Sequence, residues 1–231
     1  MYFMHSEAVW NVHPNLHALT MAAGNMLGMK DRPERLERLL PVIEKRLASQ
    51  AESEMPEISA WREAFSRMGL KPTQYRCASE ALLRRFRKEK SMPSFHPLVD
   101  YLNYVSMAFA IPIAAYDCEK IAQGITVRPA EGTETYITFQ GETEHPVPGE
   151  TIFGDPEGNA HSRRWTHRQS AKSVVNPSTN KVLIVAEALH PTAHQDLLSL
   201  GREVEAALTE AGVHIGGSKQ LSPADRRFEF Q

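Results

Sequence analysis

The residues best suited to chemistry lie in one polar stretch, from position 149 to 170. Glu150 supplies a carboxylate, and Arg168 supplies a guanidinium that can bind a carboxylate or a phosphate. The run 168–170 is too polar for a hydrophobic core, so it indicates one wall of a small-molecule site. Trp165 is either a stacking surface for a base or an apolar cover for a hairpin, and the sequence leaves both interpretations open.

A second polar group lies on a predicted helix between residues 97 and 109. Asp100 and Asn103 are three residues apart, so their side chains lie on one side of that helix. Asparagine is a poor helix former, so tertiary contacts must justify Asn103. These side chains, together with Asp117, either line a ligand pocket or stabilise the scaffold through buried hydrogen bonds. For Asp117 we favour the scaffold.

A basic cluster lies on the helix that precedes this unit. Its side chains are Arg84, Arg85, Arg87, Lys88 and Lys90. The cluster either contacts phosphate groups or forms a solvated helix face. Glu80 lies four residues before Arg84, a spacing that allows an ion pair along the helix.

Metal binding and serine chemistry receive less support from the sequence. His190 and His194 have the spacing of a zinc-binding helix, but Pro191 lies between them and no third ligand is evident. Neither Ser79 nor Ser170 has an evident His and Asp partner, which argues against a serine nucleophile. We predict a site without a metal or another cofactor.

The hydrophobic pattern divides the chain into a helical first half and a strand-rich second half. Helices are predicted at 31–50, capped by Asp31, and at 58–68, 76–90, 97–109 and 192–211. Strands are predicted at 7–12, 111–116, 125–128, 134–139, 151–153, 160–165 and 181–189, with hairpin turns at 131–132 and 155–159. Residues 16–29 are predicted as a loosely packed helix or loop. Helices that precede strands, rather than alternate with them, indicate an α+β fold.

Composition describes a globular protein and limits its partners. The chain has 231 residues, of which 42% are hydrophobic and 23% are charged, and its net charge is −2. Any RNA contact must therefore come from a local basic patch. Two cysteines suit a reducing compartment, no apolar run approaches the roughly 18 residues of a membrane span, and the N-terminus lacks the pattern of a signal peptide. We expect a cytoplasmic protein that contacts neither membrane nor DNA.

An ordered series of short motifs runs through the middle of the chain. They are Val99-Asp100, Asn103-Tyr104-Val105, Pro112, Tyr116-Asp117, Gly124, Val127-Arg128 and Ala130. This series resembles the B3/B4 editing domain of the bacterial phenylalanyl-tRNA synthetase β subunit. Stand-alone relatives of that domain are similar in the flanks, at 76–85, Gly149-Glu150 and 163–170, so the resemblance covers roughly residues 55 to 190.

The resemblance implies a mixed helix and antiparallel-sheet fold, and an activity. In the synthetase, this domain hydrolyses the ester that joins a wrong amino acid to tRNA. On that basis we predict three catalytic residues: Glu150 for the ammonium group or the water, and Arg168 and Gln169 for the ribose or the carbonyl. The predicted substrate-binding residues are Glu80, Asn103, Arg128, Trp165 and Ser170. The predicted tRNA-binding residues are Arg84, Arg85, Arg87 and Lys88.

One departure from the family pattern keeps a second function open. The family carries a histidine linked to editing where this chain has Ala114. The first hypothesis is a free-standing hydrolase of mischarged aminoacyl-tRNA, and the second is a non-catalytic module that binds a free amino acid or a tRNA 3′ end. Expected partners are the aminoacylated tRNA end and an aminoacyl-tRNA synthetase. The predicted organisation is an N-terminal helical part at 1–70, a core domain at 71–212 and a loose tail at 213–231.

Overall fold

Two main sheets and a short hairpin form the framework of the computed structural model, which describes residues 1–29 and 32–231. The larger sheet has the order β12-β1-β4-β7-β8-β9, with β1 (Tyr2–His5), β4 (Gly124–Pro129), β7 (Thr151–Gly154), β8 (Ala160–Arg163), β9 (Arg168–Gln169) and β12 (Arg227–Glu229). The smaller sheet has the order β11-β2-β10-β3, with β2 (His17–Gly24), β3 (Ile113–Asp117), β10 (Lys181–Ala188) and β11 (His214–Leu221). The hairpin pairs β5 (Tyr136–Ile137) with β6 (Thr143–Glu144).

Antiparallel pairing dominates both sheets. Within the described ranges, β1 and β4 form the parallel pair and the other named strand pairs are antiparallel. The predicted hairpin around 155–159 is confirmed, since β7 pairs with β8. The predicted hairpin around 131–132 is wrong, because β4 pairs with β1 and β7 while β5 pairs with β6. The α+β class predicted from the sequence is confirmed.

The helices follow the predicted apolar periodicity closely. They are α1 (Glu7–Val12), α2 (Pro33–Ser49), α3 (Pro56–Arg67), α4 (Ala78–Glu89), α5 (Pro97–Phe109) and α6 (Ala193–Glu210). Proline occupies the first turn of α2, α3 and α5, where its missing N–H costs nothing. The predicted cap Asp31 lies outside the described residues. No helix in the described ranges is both long enough and apolar enough to cross a membrane.

Two N-terminal predictions are wrong. Residues 7–12, predicted as a strand, form α1, which buries Val9 and Trp10 on one face. Residues 16–29, predicted as a helix or loop, contain β2, which lies between β10 and β11 and buries every residue from 18 to 23. A strand covered on both faces shows no alternation of polar and apolar residues, so its sequence resembles that of a buried helix.

The predicted loose tail is also wrong. Residues 214–221 form β11 on the edge of the smaller sheet, and residues 227–229 form β12 on the edge of the larger sheet. Their sequence is polar because edge strands expose one face to water. The predicted N-terminal part supplies β1 and β2, which pair with β4 and β10 of the predicted core. The boundary between residues 70 and 71 stays a prediction.

Candidate ligand site

A small polar cavity lies where β3 and β10 of the smaller sheet face the segment 162–169 of the larger sheet. Its volume is about 70 Å³, enough for several water molecules or a small polar group. Its polar lining comprises Tyr116, Ser162, Thr166, His167, Arg168, Gln169 and Glu187. The rest of the wall is mainly apolar and comprises Ala78 from the start of α4, Pro112, Ile113, Ala114, Phe153, Trp165 and Val185. The cavity therefore gathers groups from both sheets and one helix.

Glu187 is the buried acid of this cavity. It lies within the apolar strand β10 and is only 2% exposed. Its Oε1 accepts a hydrogen bond from Trp165 Nε1 at 2.9 Å and lies 2.6 Å from His5 Nε2. Within the described residues, no hydrogen bond reaches Oε2. A ligand that carries an ammonium or hydroxyl group would supply the missing donor.

Glu187 is not among the site residues predicted from the sequence. A signal was present, because one acidic residue interrupts the otherwise apolar strand at 182–188. A charged residue in a strand with two buried faces is rare unless it is paired or functional.

The segment that carries Trp165 has an unusual backbone. Arg164 and Trp165 both have positive φ, 48° and 58°, a region that non-glycine residues rarely adopt. Such conformations persist where the surroundings over-determine them and are frequent at functional sites. Here the Trp165 N–H donates to the Thr151 carbonyl, and the Ala78 N–H donates to the Thr166 carbonyl. Thr166 Oγ1 is buried at the cavity and has no hydrogen-bond partner in the described residues.

His167 is a second cavity residue that is absent from the sequence-based predictions. Its Nδ1 lies 2.8 Å from the Arg76 carbonyl oxygen and 3.4 Å from the Arg76 backbone nitrogen. Because a carbonyl oxygen can only accept, the shorter contact assigns the proton to Nδ1 and the lone pair to Nε2. Burial lowers the pKa of His167 below its ordinary value, and the neighbouring arginines Arg164 and Arg168 act in the same direction. The imidazole is therefore neutral near pH 7 and can accept a proton at the cavity.

Two predicted catalytic residues, Arg168 and Gln169, line the cavity. The Arg168 guanidinium lies 5.5 Å from the centre of the Tyr136 ring, and its side chain is 38% exposed. The Gln169 Nε2 donates to the Ala115 carbonyl at 2.7 Å, which leaves the amide oxygen available to a ligand. Both side chains can thus reach a substrate that enters from solvent.

The third predicted catalytic residue, Glu150, lies outside the cavity lining. Arg163 donates to it through Nε and Nη2, each at 2.9 Å, and the Arg164 N–H donates to it at 3.0 Å. Burial alone would raise the pKa of Glu150, but the Arg163 hydrogen bonds outweigh that effect and lower it. Its carboxylate fixes the segment that precedes Trp165, so the predicted role of binding an ammonium group is withdrawn.

Trp165 lines the polar cavity, and its predicted role of stacking on a base stays a prediction. The side chain is fully buried, and its ring packs edge-on against Trp61 and His13, at centroid distances of 5.0 and 4.8 Å. The alternative interpretation, an apolar cover in the core, describes its position. Its indole N–H still contributes to the site, because it orients the carboxylate of Glu187.

Three further predicted substrate-binding residues lie away from the polar cavity and hold loops or helices. Arg128 donates to Glu134 at 2.5 Å. Ser170 is fully buried and hydrogen-bonds both the N–H and the carbonyl of Ile137. Glu80 is fully buried and lies within 3.6 Å of each of three arginines, Arg62, Arg76 and Arg84.

The predicted tRNA-binding residues divide into paired and unpaired cations. Arg85 pairs with Glu89, and Arg87 pairs with Glu52. Arg84 shares Glu80 with two other arginines, so that group carries an excess of positive charge. Lys88 is exposed and forms no ion pair within the described residues. Arg84 and Lys88 are thus the members most available to phosphate groups.

An apolar pocket of about 290 Å³ adjoins the polar cavity. The two share Ile113 and Gln169 as lining residues. Asn103 from α5 lines the apolar pocket, so this predicted substrate-binding residue lies next to the polar cavity. Asp100 faces elsewhere and accepts hydrogen bonds from Ser94 and from the Phe95 N–H.

A Ser–His–Asp arrangement is present, but in the interior. His161 Nδ1 lies 2.9 Å from Ser173 Oγ, and His161 Nε2 lies 3.1 Å from Asp155 Oδ2. All three side chains are buried and none lines the polar cavity. Asp155 also accepts hydrogen bonds from Asn159. Since a nucleophile needs access to substrate, we interpret this network as structural.

No cluster of three or more histidine, cysteine or acidic side chains within the described residues could hold a metal ion. His190, one of the two histidines considered as ligands, instead lies with its Nε2 2.8 Å from Asp196 Oδ2.

Fold and site define a class of protein, an α+β domain with a small polar cavity between its two sheets. The family model for the B3/4 domain matches residues 60–206, well over half of the chain. The chain therefore belongs to the B3/4 domain family.

Relatives with known names are similar over shorter segments. The phenylalanine–tRNA ligase β subunit of Pasteurella multocida is 28% identical over 100 residues, which is 43% of this chain and 12% of the relative. The same subunit of Coxiella burnetii is 37% identical over 57 residues, which is 25% of this chain and 7% of the relative. The chain thus matches about an eighth or less of these relatives.

The fold is shared with a solved structure. An N-terminal fragment of the phenylalanyl-tRNA synthetase β subunit from Pyrococcus horikoshii superimposes with a TM-score of 0.51 over 92% of this chain and 49% of that fragment. Sequence identity is 12%, so this likeness concerns the fold alone.

Proposed function

We propose that this B3/4 domain protein binds the aminoacylated 3′ end of tRNA and hydrolyses the ester bond of mischarged aminoacyl-tRNA. The observation that carries the proposal is the convergence of a buried carboxylate, a neutral imidazole, a guanidinium and an amide on one small cavity. Those groups are Glu187, His167, Arg168 and Gln169. Membership of the B3/4 family, and relatives that are phenylalanine–tRNA ligase β subunits, support the choice of an aminoacyl-tRNA substrate.

Each group has a role in this proposal. Glu187 accepts a hydrogen bond from the α-ammonium group of the aminoacyl moiety through its unpartnered oxygen. Gln169 and Arg168, at the exposed side of the cavity, bind the ribose and the ester carbonyl. A cavity of about 70 Å³ favours a small aminoacyl group. Because residue 114 is an alanine, the cavity keeps space that a larger residue at this position would fill.

His167 activates the water. Its Nε2 accepts a proton as the water oxygen attacks the ester carbonyl carbon. The bond between the acyl carbon and the ribose oxygen then breaks, and the ribose hydroxyl leaves with the proton that His167 returns. The hydroxyl of the water thus ends in the carboxyl group of the free amino acid, and its proton ends on the ribose oxygen of the tRNA. A general base of this kind contributes about 10²- to 10⁴-fold to the rate.

The first test is deacylation of a panel of mischarged tRNAs, compared with His167→Gln and Glu187→Gln. Release of one or a few amino acids is expected from the unaltered protein, and both variants should lose it while they keep their melting temperature. His214→Gln, an exposed histidine on β11, is the matched control and should deacylate normally. Absence of release across the panel would exclude the hydrolase.

A second candidate is a non-catalytic module that binds a free amino acid or a tRNA 3′ end. Ala114 favours it, because a methyl group lies on the cavity wall where the family places a histidine. The module would raise its melting temperature with ligand but release no amino acid from any tRNA. Association with an aminoacyl-tRNA synthetase fits either candidate, as does a cytoplasmic location.

A further inference from the structure

The apolar pocket beside the polar cavity has an exposed aromatic entrance. Phe95 and Phe139 line it and are 69% and 65% exposed, although most large apolar side chains of this protein are buried. Aliphatic side chains such as Val99 and Leu102 form its walls. Two exposed phenylalanines beside an apolar pocket suit a ligand with a flat π face. Aromatic side chains stack on nucleobases in this way, because every base has such a face.

The polar groups of this pocket are amides. Among the described residues, no charged side chain lines it, so it suits a neutral group better than the ammonium or carboxylate of an amino acid. The Asn103 side chain makes no hydrogen bond within the described residues, and the Gln169 amide oxygen is likewise unpartnered there. A side-chain amide can form two hydrogen bonds with the N6 and N7 positions of adenine.

The two pockets meet at Ile113 and Gln169. In an aminoacylated tRNA, the terminal ribose carries the adenine base on one side and the aminoacyl ester on the other. A base in the apolar pocket would put the ribose at Gln169 and the ester in the polar cavity beside His167. We propose that the apolar pocket binds the adenine base of a 3′-terminal adenosine. This inference rests on the proposed function and adds to it a binding site for the terminal adenine.

A large apolar amino-acid side chain is the competing occupant. It would fill the aliphatic walls, but it would leave the Asn103 amide without a hydrogen-bond partner in a partly desolvated site. It would also gain little from two phenylalanine faces that remain exposed at the entrance. Adenine uses both features, which is why we favour it.

The test is titration of the full chain with adenosine, and separately with cytidine and with leucinamide, by calorimetry. Adenosine should bind more tightly than cytidine or leucinamide. Phe95→Leu and Phe139→Leu keep apolar bulk but remove the aromatic face, so each should weaken adenosine binding by about fivefold or more. Asn103→Ala should reduce the preference for adenosine over cytidine. Leu27→Ala, at another exposed apolar side chain, is the control and should bind normally.

The outcomes separate this inference from the proposed hydrolase. Adenosine binding that is weakened in the phenylalanine variants supports the base site even if no deacylation is found. Failure of adenosine to bind, unchanged binding in both phenylalanine variants, or tighter binding of leucinamide would overturn it even if the protein is an active deacylase. His167→Gln should abolish deacylation and leave adenosine affinity unchanged, because His167 does not line the apolar pocket.

Discussion

Glu150 and Glu187 are both buried carboxylates, and their partners give them different roles. Glu150 has two hydrogen bonds from Arg163 and one from the backbone of Arg164, so its charge is compensated within the protein. Glu187 has His5 and Trp165 at one oxygen, while the other has no partner in the described residues. Glu187 also lines the polar cavity, which Glu150 does not, so of these two carboxylates Glu187 is the candidate for ligand binding.

Replacement of Glu150 by alanine is expected to act on stability rather than directly on chemistry. The buried Arg163 would keep only Glu144 as an acidic partner, and loss of one member of a buried pair costs about 3–5 kcal/mol. Urea unfolding should show this loss for Glu150→Ala and little change for Glu142→Ala, whose side chain is exposed. Equal stability of the two variants would contradict a structural role for Glu150.

The pH dependence of activity should reflect His167. Its pKa is lowered by burial and by nearby arginines, and only its neutral form can accept a proton from water. Activity should therefore persist as the pH falls through 6.5, the ordinary histidine value, and should decline only below it. A profile of kcat/KM against pH checks this expectation. An acidic limb centred above 6.5 would show that another group acts as the base.

At the scale of elements, the site depends on strands that lie far apart in the chain. β10 supplies Glu187, β1 supplies His5, and the segment after β8 supplies Trp165 and His167. β2 and β3 pair with the two sides of β10 and hold it in the interior of the smaller sheet. The chain ends thus contribute to the framework of the cavity.

Deletion of residues 213–231 is therefore expected to destabilise the protein. Removal of β11 and β12 would expose the edges of β2 and β1, and unpaired edges of buried strands promote aggregation. The truncated chain should lose its cooperative thermal transition or become insoluble, as followed by circular dichroism and gel filtration. A stable, monomeric 1–212 fragment would contradict this expectation.

At the scale of the whole molecule, net charge is a poor guide to RNA binding. The total is −2, yet three arginines surround the single carboxylate of Glu80, and Lys88 lies one helical turn beyond Arg84. A locally positive surface of this kind can contact the phosphates of a tRNA although the chain as a whole is slightly acidic.

Binding of tRNA should accordingly depend on salt and on α4. Each phosphate contact contributes about 0.7–0.9 to the slope of log K against log salt concentration. Arg84→Glu and Lys88→Glu should weaken tRNA binding and reduce that slope, whereas Lys45→Glu, an exposed cation of α2, should change neither. Filter binding over a range of salt concentrations tests this. A slope unchanged by the α4 variants would exclude α4 from the tRNA contact.

The sequence by itself determined most of the helices, the hairpin of β7 with β8, and the family. Each of these depends on residues that are close together along the chain. The helices follow from an apolar periodicity, the hairpin from a turn signal, and the family from an ordered series of motifs. Arg168, Gln169 and Asn103 were also identified from their local context, and they line the two adjoining pockets.

Only the tertiary structure decided which acid faces the cavity and which strands lie at its centre. His5 and Glu187 are 182 positions apart, and no local pattern links them. β2 was misassigned because burial on both faces removes its periodicity, and β11 because exposure of an edge strand makes it resemble a loop. The physical reason is common to these cases. Burial and hydrogen-bond partners are properties of the assembled sheets, whereas the sequence records directly only what neighbouring residues impose on one another.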